Sequence, residues 1–272
     1  MEKIKLYKNR KISFREYLSS IWKHKSIVYS IGFGDIKNRF SRNKIGFFFA
    51  PFTTLLTLSV YWIIFGIIMN VEAWGVDYPL FALPGIVIWA YFNSSVNNIG
   101  ISLQQSENMI SKLYFPRINI IFSRLLFFIP ELISGIIIFV ILLALYNYPF
   151  KISLLWFALL FIALVISILG IGIWISIISL YNRDISNTLS QIINFGIFVT
   201  PVFYPGTIIP DSYKFLLHIN PIAAVIELFR SAAFETFPFD GHYFIGIAIG
   251  LILFVSGFFT FKRIENKITD LL

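Results

Sequence analysis

Long apolar runs separated by short polar connections make up most of this 272-residue chain. A transmembrane α-helix needs about 20 predominantly apolar residues, and these runs reach that length, one of them interrupted only by Glu131. None of them alternates apolar and polar residues as the strands of a membrane barrel do. We therefore predict an all-α integral membrane protein with six transmembrane helices. The predicted spans are residues 46–70, 78–103, 120–146, 152–181, 186–204 and 242–262.

The segment before the first span, residues 1–44, is basic but carries apolar residues at helical spacing. Ser13-Phe14-Arg15-Glu16 matches a capping box, which marks the start of a helix. Gly32 and Gly34 predict a break, after which the same pattern resumes. A basic amphipathic helix of this kind lies along anionic lipid, and its apolar face leads directly into the first span. We predict a cytoplasmic interfacial helix that binds membrane lipids, not nucleic acid.

The segment 201–239, which follows the fifth predicted span, is apolar but interrupted by Pro205, Pro210, Pro221 and Pro238. The uncharged run within this segment, residues 215–226, is too short to span a bilayer. We therefore predict external re-entrant helices here. Glu227 and Arg230 have the i, i+3 spacing of a helical ion pair, although an exposed pair of little energetic consequence fits equally well. The residues singled out in this region are Asn220, Pro221, Glu227 and Arg230.

Composition and charge support one membrane domain, residues 45–272. Apolar residues make up 57% of the chain and charged residues only 13%, which is more apolar surface than a soluble domain of this length buries. The net charge is +8. With the N-terminus inside, most of the 22 Lys and Arg residues fall on the cytoplasmic side. This bias predicts that both termini are cytoplasmic.

Motifs for catalysis are missing from the sequence. The chain has no cysteine and no G-x-x-x-x-G-K-[ST] phosphate-binding loop. The pair Gly170 and Gly172 lacks the third glycine of a dinucleotide fingerprint, and close helix packing inside the fourth span explains it. The histidines, His24, His218 and His242, are isolated along the chain and lack metal-ligand spacing. We predict no catalytic residue, no metal and no cofactor in this chain.

Two charged positions stand apart from the termini and the basic tail. Glu131 lies within the third predicted span, where an ionised carboxylate costs at least a few kcal/mol unless it is paired or near water. It is a polar inter-helix contact, a neutral acid or a transport residue. Arg183 and Asp184 occupy a short cytoplasmic turn, which is either solvated or a contact for a soluble partner.

Aromatic residues make up 18% of the chain, and many of them belong to interfacial belts or face lipid. Others cluster in the first, second and fifth spans. Aromatic faces stack on the apolar faces of sugar rings, while Tyr and Trp edges offer hydrogen bonds. An aromatic-lined conduit for a sugar polymer is therefore one hypothesis. Its candidate residues are Tyr61, Trp62, Phe65, Trp89, Tyr91, Phe92, Phe195, Phe198, Phe203 and Tyr204.

Several short motifs occur in a characteristic order along the chain. Together they resemble the permease subunit of ABC-2-type exporters of lipid-linked polysaccharides, the O-antigen and teichoic-acid group, over residues 35–262. Each motif alone is weak, but the ordered set is fairly specific to this family. The motifs are GDIKNRF at 34–40, SKLYFPR at 111–117, NRDI at 182–185, TPVFYP at 200–205, NPI at 220–222 and ELFR at 227–230.

The resemblance implies a homodimer in the bacterial inner membrane, with two copies of a separate ATPase subunit that bind ATP and Mg²⁺. It implies a pore at the dimer axis, lined chiefly by the first, second and fifth spans, for a lipid-linked polysaccharide. It also assigns coupling to the ATPase to two cytoplasmic segments. The implied coupling residues are Ser111, Lys112, Tyr114, Phe115, Pro116, Arg117, Arg183 and Asp184.

Alternatives to an O-antigen exporter remain at this point. A teichoic-acid permease, or a small-molecule or drug exporter of the same superfamily, shares the implied architecture, and the wording of the motifs favours O-antigen. An integral-membrane enzyme acting on lipid-linked sugars would need convergent acids or a histidine in a pocket. A structural membrane protein would be insensitive to changes in the coupling segments.

Overall fold

The computed structural model describes residues 13–42, 46–113, 115–149 and 154–268. Twelve α-helices account for most of these residues, and α3 continues as a π-helical stretch, Trp62–Ile68. Tyr114, one of the implied coupling residues, lies outside the described residues. The helices are α1 Phe14–Lys23, α2 Lys25–Arg42, α3 Gly46–Tyr61, α4 Tyr78–Gln105, α5 Glu107–Lys112, α6 Ile118–Phe127, α7 Ile129–Leu145, α8 Leu154–Tyr181, α9 Arg183–Val199, α10 Lys214–His218, α11 Pro221–Ala233 and α12 Phe244–Ile264.

Within the described part of the chain, five helical stretches are long and apolar enough to cross a bilayer. They confirm the prediction of an all-α, multi-span protein. The helix α9, which corresponds to the fifth predicted span, has 17 residues and is not among the five. The pair Asp211–His218 and Pro221–Ala233 is bent by 101°, the geometry of a broken span or a re-entrant loop. The five stretches are Pro51–Ile68, Tyr78–Gln105, Ile118–Leu145, Leu155–Tyr181 and Gly241–Lys267.

The helix α4 lies at the centre of the bundle and packs against α3, α6, α7, α8, α9 and α11. The helix α8 packs in turn against both α12 and α4, and one glycine brings it close to each of them. A Cβ at Gly170 would lie 2.8 Å from the amide nitrogen of Phe254, and one at Gly172 would lie 2.9 Å from Ile99. This confirms the prediction that the two glycines serve helix packing.

The N-terminal segment forms two helices, and the predicted break at Gly32 and Gly34 is wrong. The chain turns at His24, and α2 runs through both glycines without interruption. Gly32 instead permits close packing, since a Cβ there would lie 2.8 Å from the Cβ of Leu126 on α6. The predicted start of α1 is confirmed, because the Ser13 amide donates a hydrogen bond of 3.1 Å to the Glu16 carboxylate.

The apolar face of α1 is partly covered by the last span. Tyr17 is buried, and the ring of Phe14 stacks on that of Phe259 at 5.4 Å. Trp22, on the same helix, is exposed, and the Lys25 ammonium lies 4.4 Å from its ring centre. The N-terminal helix is therefore docked on the bundle through one face and open along another.

Candidate functional site

Five of the predicted conduit residues form one aromatic cluster around Phe203, in the turn after α9. The ring of Tyr61 stacks on Phe203 with a centroid distance of 4.6 Å, and Phe65 does so at 4.7 Å. Phe198 and Tyr204 contact the same ring edge-on, at 6.1 and 5.6 Å. This aromatic cluster joins the first apolar span to the end of α9.

The other five predicted conduit residues lie elsewhere in the described structure. Trp89 and Phe92 pack together at 5.2 Å and are buried within the chain. The Tyr91 hydroxyl donates a hydrogen bond of 3.1 Å to the Leu125 carbonyl, so this side chain is directed towards α6. Trp62 and Phe195 are exposed. Their assignment to a conduit remains a prediction.

Hydrogen-bonded carboxamides lie beside the aromatic cluster, and the sequence analysis missed them. The Asn97 amide on α4 donates to the side-chain oxygens of Asn93, at 2.9 Å, and of Asn194 on α9, at 3.4 Å. One face of α9 continues this polar strip through Gln191 towards Phe198, and these residues are exposed. The detectable signal was two asparagines at i, i+4 spacing inside an apolar run.

Such a strip is costly to place against lipid. Each amide group without a hydrogen-bond partner in a hydrocarbon environment costs several kcal/mol of free energy. Polar residues inside a membrane therefore usually face a bundle interior or a water-filled cavity. We define the amide strip as Asn93, Asn97, Gln191 and Asn194. It offers donors and acceptors next to aromatic faces, which is the chemistry of sugar binding.

Arg230 organises the turn that carries Phe203. Its side chain is 0% exposed and pairs at 2.8 Å with Glu227, which is 3% exposed. The guanidinium also donates to the carbonyls of Pro201 and Val202, each at 2.6 Å, and to that of Phe81 on α4 at 3.2 Å. The predicted pairing is therefore confirmed, and the alternative of an exposed, inconsequential pair is wrong.

Three of the sequence motifs meet around this pair. The Asn220 amide donates to the Thr200 hydroxyl at 2.9 Å, and its oxygen caps α11 by accepting from the Ile222 amide at 3.0 Å. The Gly85 backbone on α4 lies directly under the turn, since a Cβ there would lie 2.4 Å from the Val202 carbonyl oxygen. These contacts fix the turn, and with it the aromatic cluster.

The implied coupling segment is anchored to the end of the last span. Ser111 and Lys112 lie exposed at the end of α5, and Phe115 is buried. The Arg117 backbone amide donates to the Glu265 carboxylate, and its guanidinium donates to the Glu265 carbonyl at 3.1 Å. Burial, and then the neighbouring Glu265 carboxylate, raise the pKa of the Tyr17 hydroxyl above its usual value. The N-terminal helix, the coupling segment and the last span therefore meet at one junction.

The second implied coupling element is the turn before α9. The Asn182 side chain caps this helix by accepting hydrogen bonds from the backbone amides of Asp184, at 2.8 Å, and Ile185, at 3.3 Å. Asp184 is exposed, and its charge at the first turn of the helix is favourable for the helix dipole. An exposed, capped helix start is accessible to a soluble partner.

Glu131 makes a polar inter-helix contact, which was one of the three interpretations that the sequence allowed. Its carboxylate accepts a hydrogen bond from the Arg39 guanidinium on α2. A second ion pair of reversed polarity joins Asp35 on α2 to Arg124 on α6 at 2.7 Å. A cavity of about 190 Å³ lies beside Arg39 and Glu131, with Ser94 in its wall. The helix α2 is thereby tied to the third predicted span.

Five stretches long and apolar enough to cross a bilayer, together with a central buried helix, define a multi-pass membrane protein. Sequence comparison places the chain more narrowly, because residues 28–234 match the family described as ABC-2 type transporter. The chain belongs to this family.

Curated relatives are similar over most of their length. The chain is 27% identical over 243 residues to an O-antigen export system permease protein RfbA of Klebsiella pneumoniae, covering 88% of this chain and 92% of the relative. It is 21% identical to the protein of that name from Myxococcus xanthus, covering 79% and 83%. It is also 22% identical to the polysialic acid transport protein KpsM of Escherichia coli, covering 80% and 84%.

Proposed function

We propose that this chain is the membrane-spanning subunit of an ATP-driven exporter that moves a lipid-linked polysaccharide, O-antigen in the first place, across the bacterial inner membrane. The observation that carries the proposal is the amide strip beside the aromatic cluster. Hydroxyl-rich sugars need hydrogen-bonding groups together with flat apolar faces, and this surface supplies both. The names of two relatives, an O-antigen export system permease and a polysialic acid transport protein, favour the same substrate class.

Two copies of the chain complete the export pathway in this proposal. Only 6% of the apolar stretch Pro51–Ile68 is buried within one chain, and the strip-bearing face of α9 is also exposed. A two-fold axis beside α3 and α9 would bring the two amide strips together around a polar path. The proposed topology has six spans, with α9 as the fifth, re-entrant helices α10 and α11, and both termini in the cytoplasm.

ATP hydrolysis belongs to a partner in this proposal, with two ATPase copies bound to ATP and Mg²⁺. The exposed end of α5 and the capped start of α9 are the proposed contacts. The junction of Arg117 with Glu265 would pass movement from the partner to the last span and the N-terminal helix. A stoichiometric subunit carrying a phosphate-binding loop, recovered with the tagged chain from its native membrane, would support this assignment, whereas recovery of the chain alone would count against it.

A reconstituted complex tests the substrate class. The chain and its co-purified ATPase are placed in lipid vesicles, and ATP hydrolysis is measured with lipid-linked O-antigen, with lipid-linked teichoic acid or with small lipophilic drugs. We expect stimulation by the glycan, and we expect Asn194→Ala to reduce it while the exposed-site control Asn266→Ala does not. Stimulation by drugs alone would identify a small-molecule exporter, and equal behaviour of the two variants would remove the amide strip from the pathway.

A further inference from the structure

Two of the three histidines converge on one carboxylate, which corrects the expectation that they are isolated. A ring nitrogen of His218, Nε2, lies 2.9 Å from one oxygen of Asp240, and Nδ1 of His242 lies 2.7 Å from the other. The two imidazole rings stack with a centroid distance of 5.2 Å. One ligand atom from each of the three residues falls within 4.8 Å of the others.

The polypeptide holds these side chains in place from two directions. His218 is the last residue of α10, and its ring packs edge-on against Tyr243 at 5.1 Å. Asp240 and His242 share the turn that opens the last span, where the Asp240 carboxylate also accepts the His242 backbone amide at 2.9 Å. The cluster therefore joins the end of α10 to the start of the last span.

The donor set fits a transition metal of the zinc class. Two imidazole nitrogens and one carboxylate oxygen are ligands that zinc binds at about 2.0–2.2 Å, with water in the fourth position of a tetrahedron. The three atoms are close enough for a small side-chain adjustment to reach these bond lengths. The hard cations calcium and magnesium prefer all-oxygen sites, so the two imidazoles disfavour them.

Solvent can reach the cluster. The His242 side chain is 73% exposed and Asp240 is 37% exposed, while His218 is 16% exposed and forms the inner wall. An ion can therefore enter from water without opening the bundle. Binding requires neutral imidazoles with lone pairs at His218 Nε2 and His242 Nδ1, and the Asp240 carboxylate supplies the negative charge.

We propose that His218, Asp240 and His242 form a binding site for one zinc-class divalent ion per chain. The ion clamps the end of α10 to the start of the last span, across 22 residues of chain. Residues 218–242 follow the turn that Arg230 holds at Pro201 and Val202. The ion and Arg230 therefore stabilise neighbouring parts of the same segment. The proposal is independent of the exported substrate.

Metal binding to the full-length chain tests the proposal directly. The protein is purified in detergent through a tag without histidine and titrated with Zn²⁺ by calorimetry, and with Co²⁺ as a spectroscopic probe of tetrahedral coordination. We expect one ion per chain. We expect at least a tenfold loss of affinity in Asp240→Asn and in His242→Asn, because each removes one direct ligand, and no loss in the control His24→Asn. Equal affinity of His242→Asn and His24→Asn would overturn the site.

Thermal unfolding gives a second readout that does not depend on export. An ion that binds only the folded state raises the unfolding temperature by mass action, so Zn²⁺ should stabilise the wild-type chain and His24→Asn but not His242→Asn. The exposure of His242 makes that variant the safest one for folding, which far-UV circular dichroism without metal verifies. Equal Zn²⁺-induced shifts in all three proteins would also overturn the proposal.

Discussion

Arg230 and Glu227 form a buried ion pair one helical turn apart, and the same guanidinium holds the turn that carries the aromatic cluster. The carbonyls of Pro201 and Val202 have no helical partners at this turn, and Arg230 supplies the missing donors. A planar guanidinium can serve several acceptors at once, which a lysine ammonium cannot do in the same geometry. The pair therefore links an electrostatic contact to the position of Phe203.

Replacing this arginine tests its structural role. We expect Arg230→Gln to destabilise the chain by about 3–5 kcal/mol, because Glu227 would remain buried without its counter-charge. The matched variant Arg263→Gln removes an exposed arginine and should change stability by no more than about 0.5 kcal/mol. Tryptophan fluorescence during thermal unfolding in detergent compares them. Similar melting temperatures for both variants would contradict the role assigned to Arg230.

The glycine beneath the same turn gives an independent test. Gly85→Ala places a Cβ 2.4 Å from the Val202 carbonyl oxygen and 3.0 Å from Arg230 Nη2. We expect this overpacking to cost about 1–3 kcal/mol. Gly34→Ala is the control, since no atom lies within 4 Å of a Cβ there, and alanine favours a helix over glycine. The unfolding temperature should therefore fall for Gly85→Ala and stay level or rise for Gly34→Ala. The reverse order would be inconsistent with this packing.

Local sequence patterns predicted much of the architecture. The apolar runs located the helices, because a bilayer demands a length that few soluble helices combine with so little charge. The capping role of Ser13 was readable because its partner, Glu16, lies three positions away. The paired glycines of α8 were readable because small residues inside an apolar span commonly serve close helix packing, but only the fold identifies their distant partners, Phe254 and Ile99. The break assigned to Gly32 failed because the partner that requires this glycine, Leu126, lies far away in the sequence.

The features that the sequence did not predict are contacts between segments that are distant in the chain. Asp35 pairs with Arg124, 89 positions further along the chain, and Arg117 is anchored by Glu265, 148 positions further along. The periodicity of a single segment cannot predict such contacts. The meeting of His218 with His242 depends on how α10 turns towards the last span. The aromatic residues were found by type, but only the fold separates Phe203, in a cluster, from Tyr91, which faces α6.

The two proposed coupling elements should respond differently to substitution. Asp184 is exposed, so Asp184→Ala should leave the melting temperature nearly unchanged while lowering substrate-stimulated ATP hydrolysis in the reconstituted complex. Arg117→Ala removes a hydrogen bond to Glu265 inside the junction, which we expect to cost about 0.5–1.5 kcal/mol as well as activity. Asp211→Ala, at another exposed acid, is the control for both assays. Full activity of Asp184→Ala at normal stability would exclude this turn from coupling.

Disulfide cross-linking tests the proposed two-fold contact, and the chain is suited to it because it contains no cysteine. Ile192, on α9, is 60% exposed, and Ile162, on α8, is 53% exposed, so a cysteine at either site meets the membrane environment to a similar degree. If α9 lies beside the dimer axis, Ile192→Cys should form a covalent dimer under mild oxidation in native membranes.

Ile162→Cys should stay monomeric in the same membranes, because the proposed axis runs beside α3 and α9 and not beside α8. Both variants need normal expression, and a thiol-reactive reagent applied beforehand should prevent the Ile192→Cys product. A disulfide forms only when the two Cα atoms come within about 7 Å, so the product reports direct contact and not mere crowding. A covalent dimer from Ile162→Cys alone would move the two-fold axis to the α8 side of the bundle and separate the amide strips from each other.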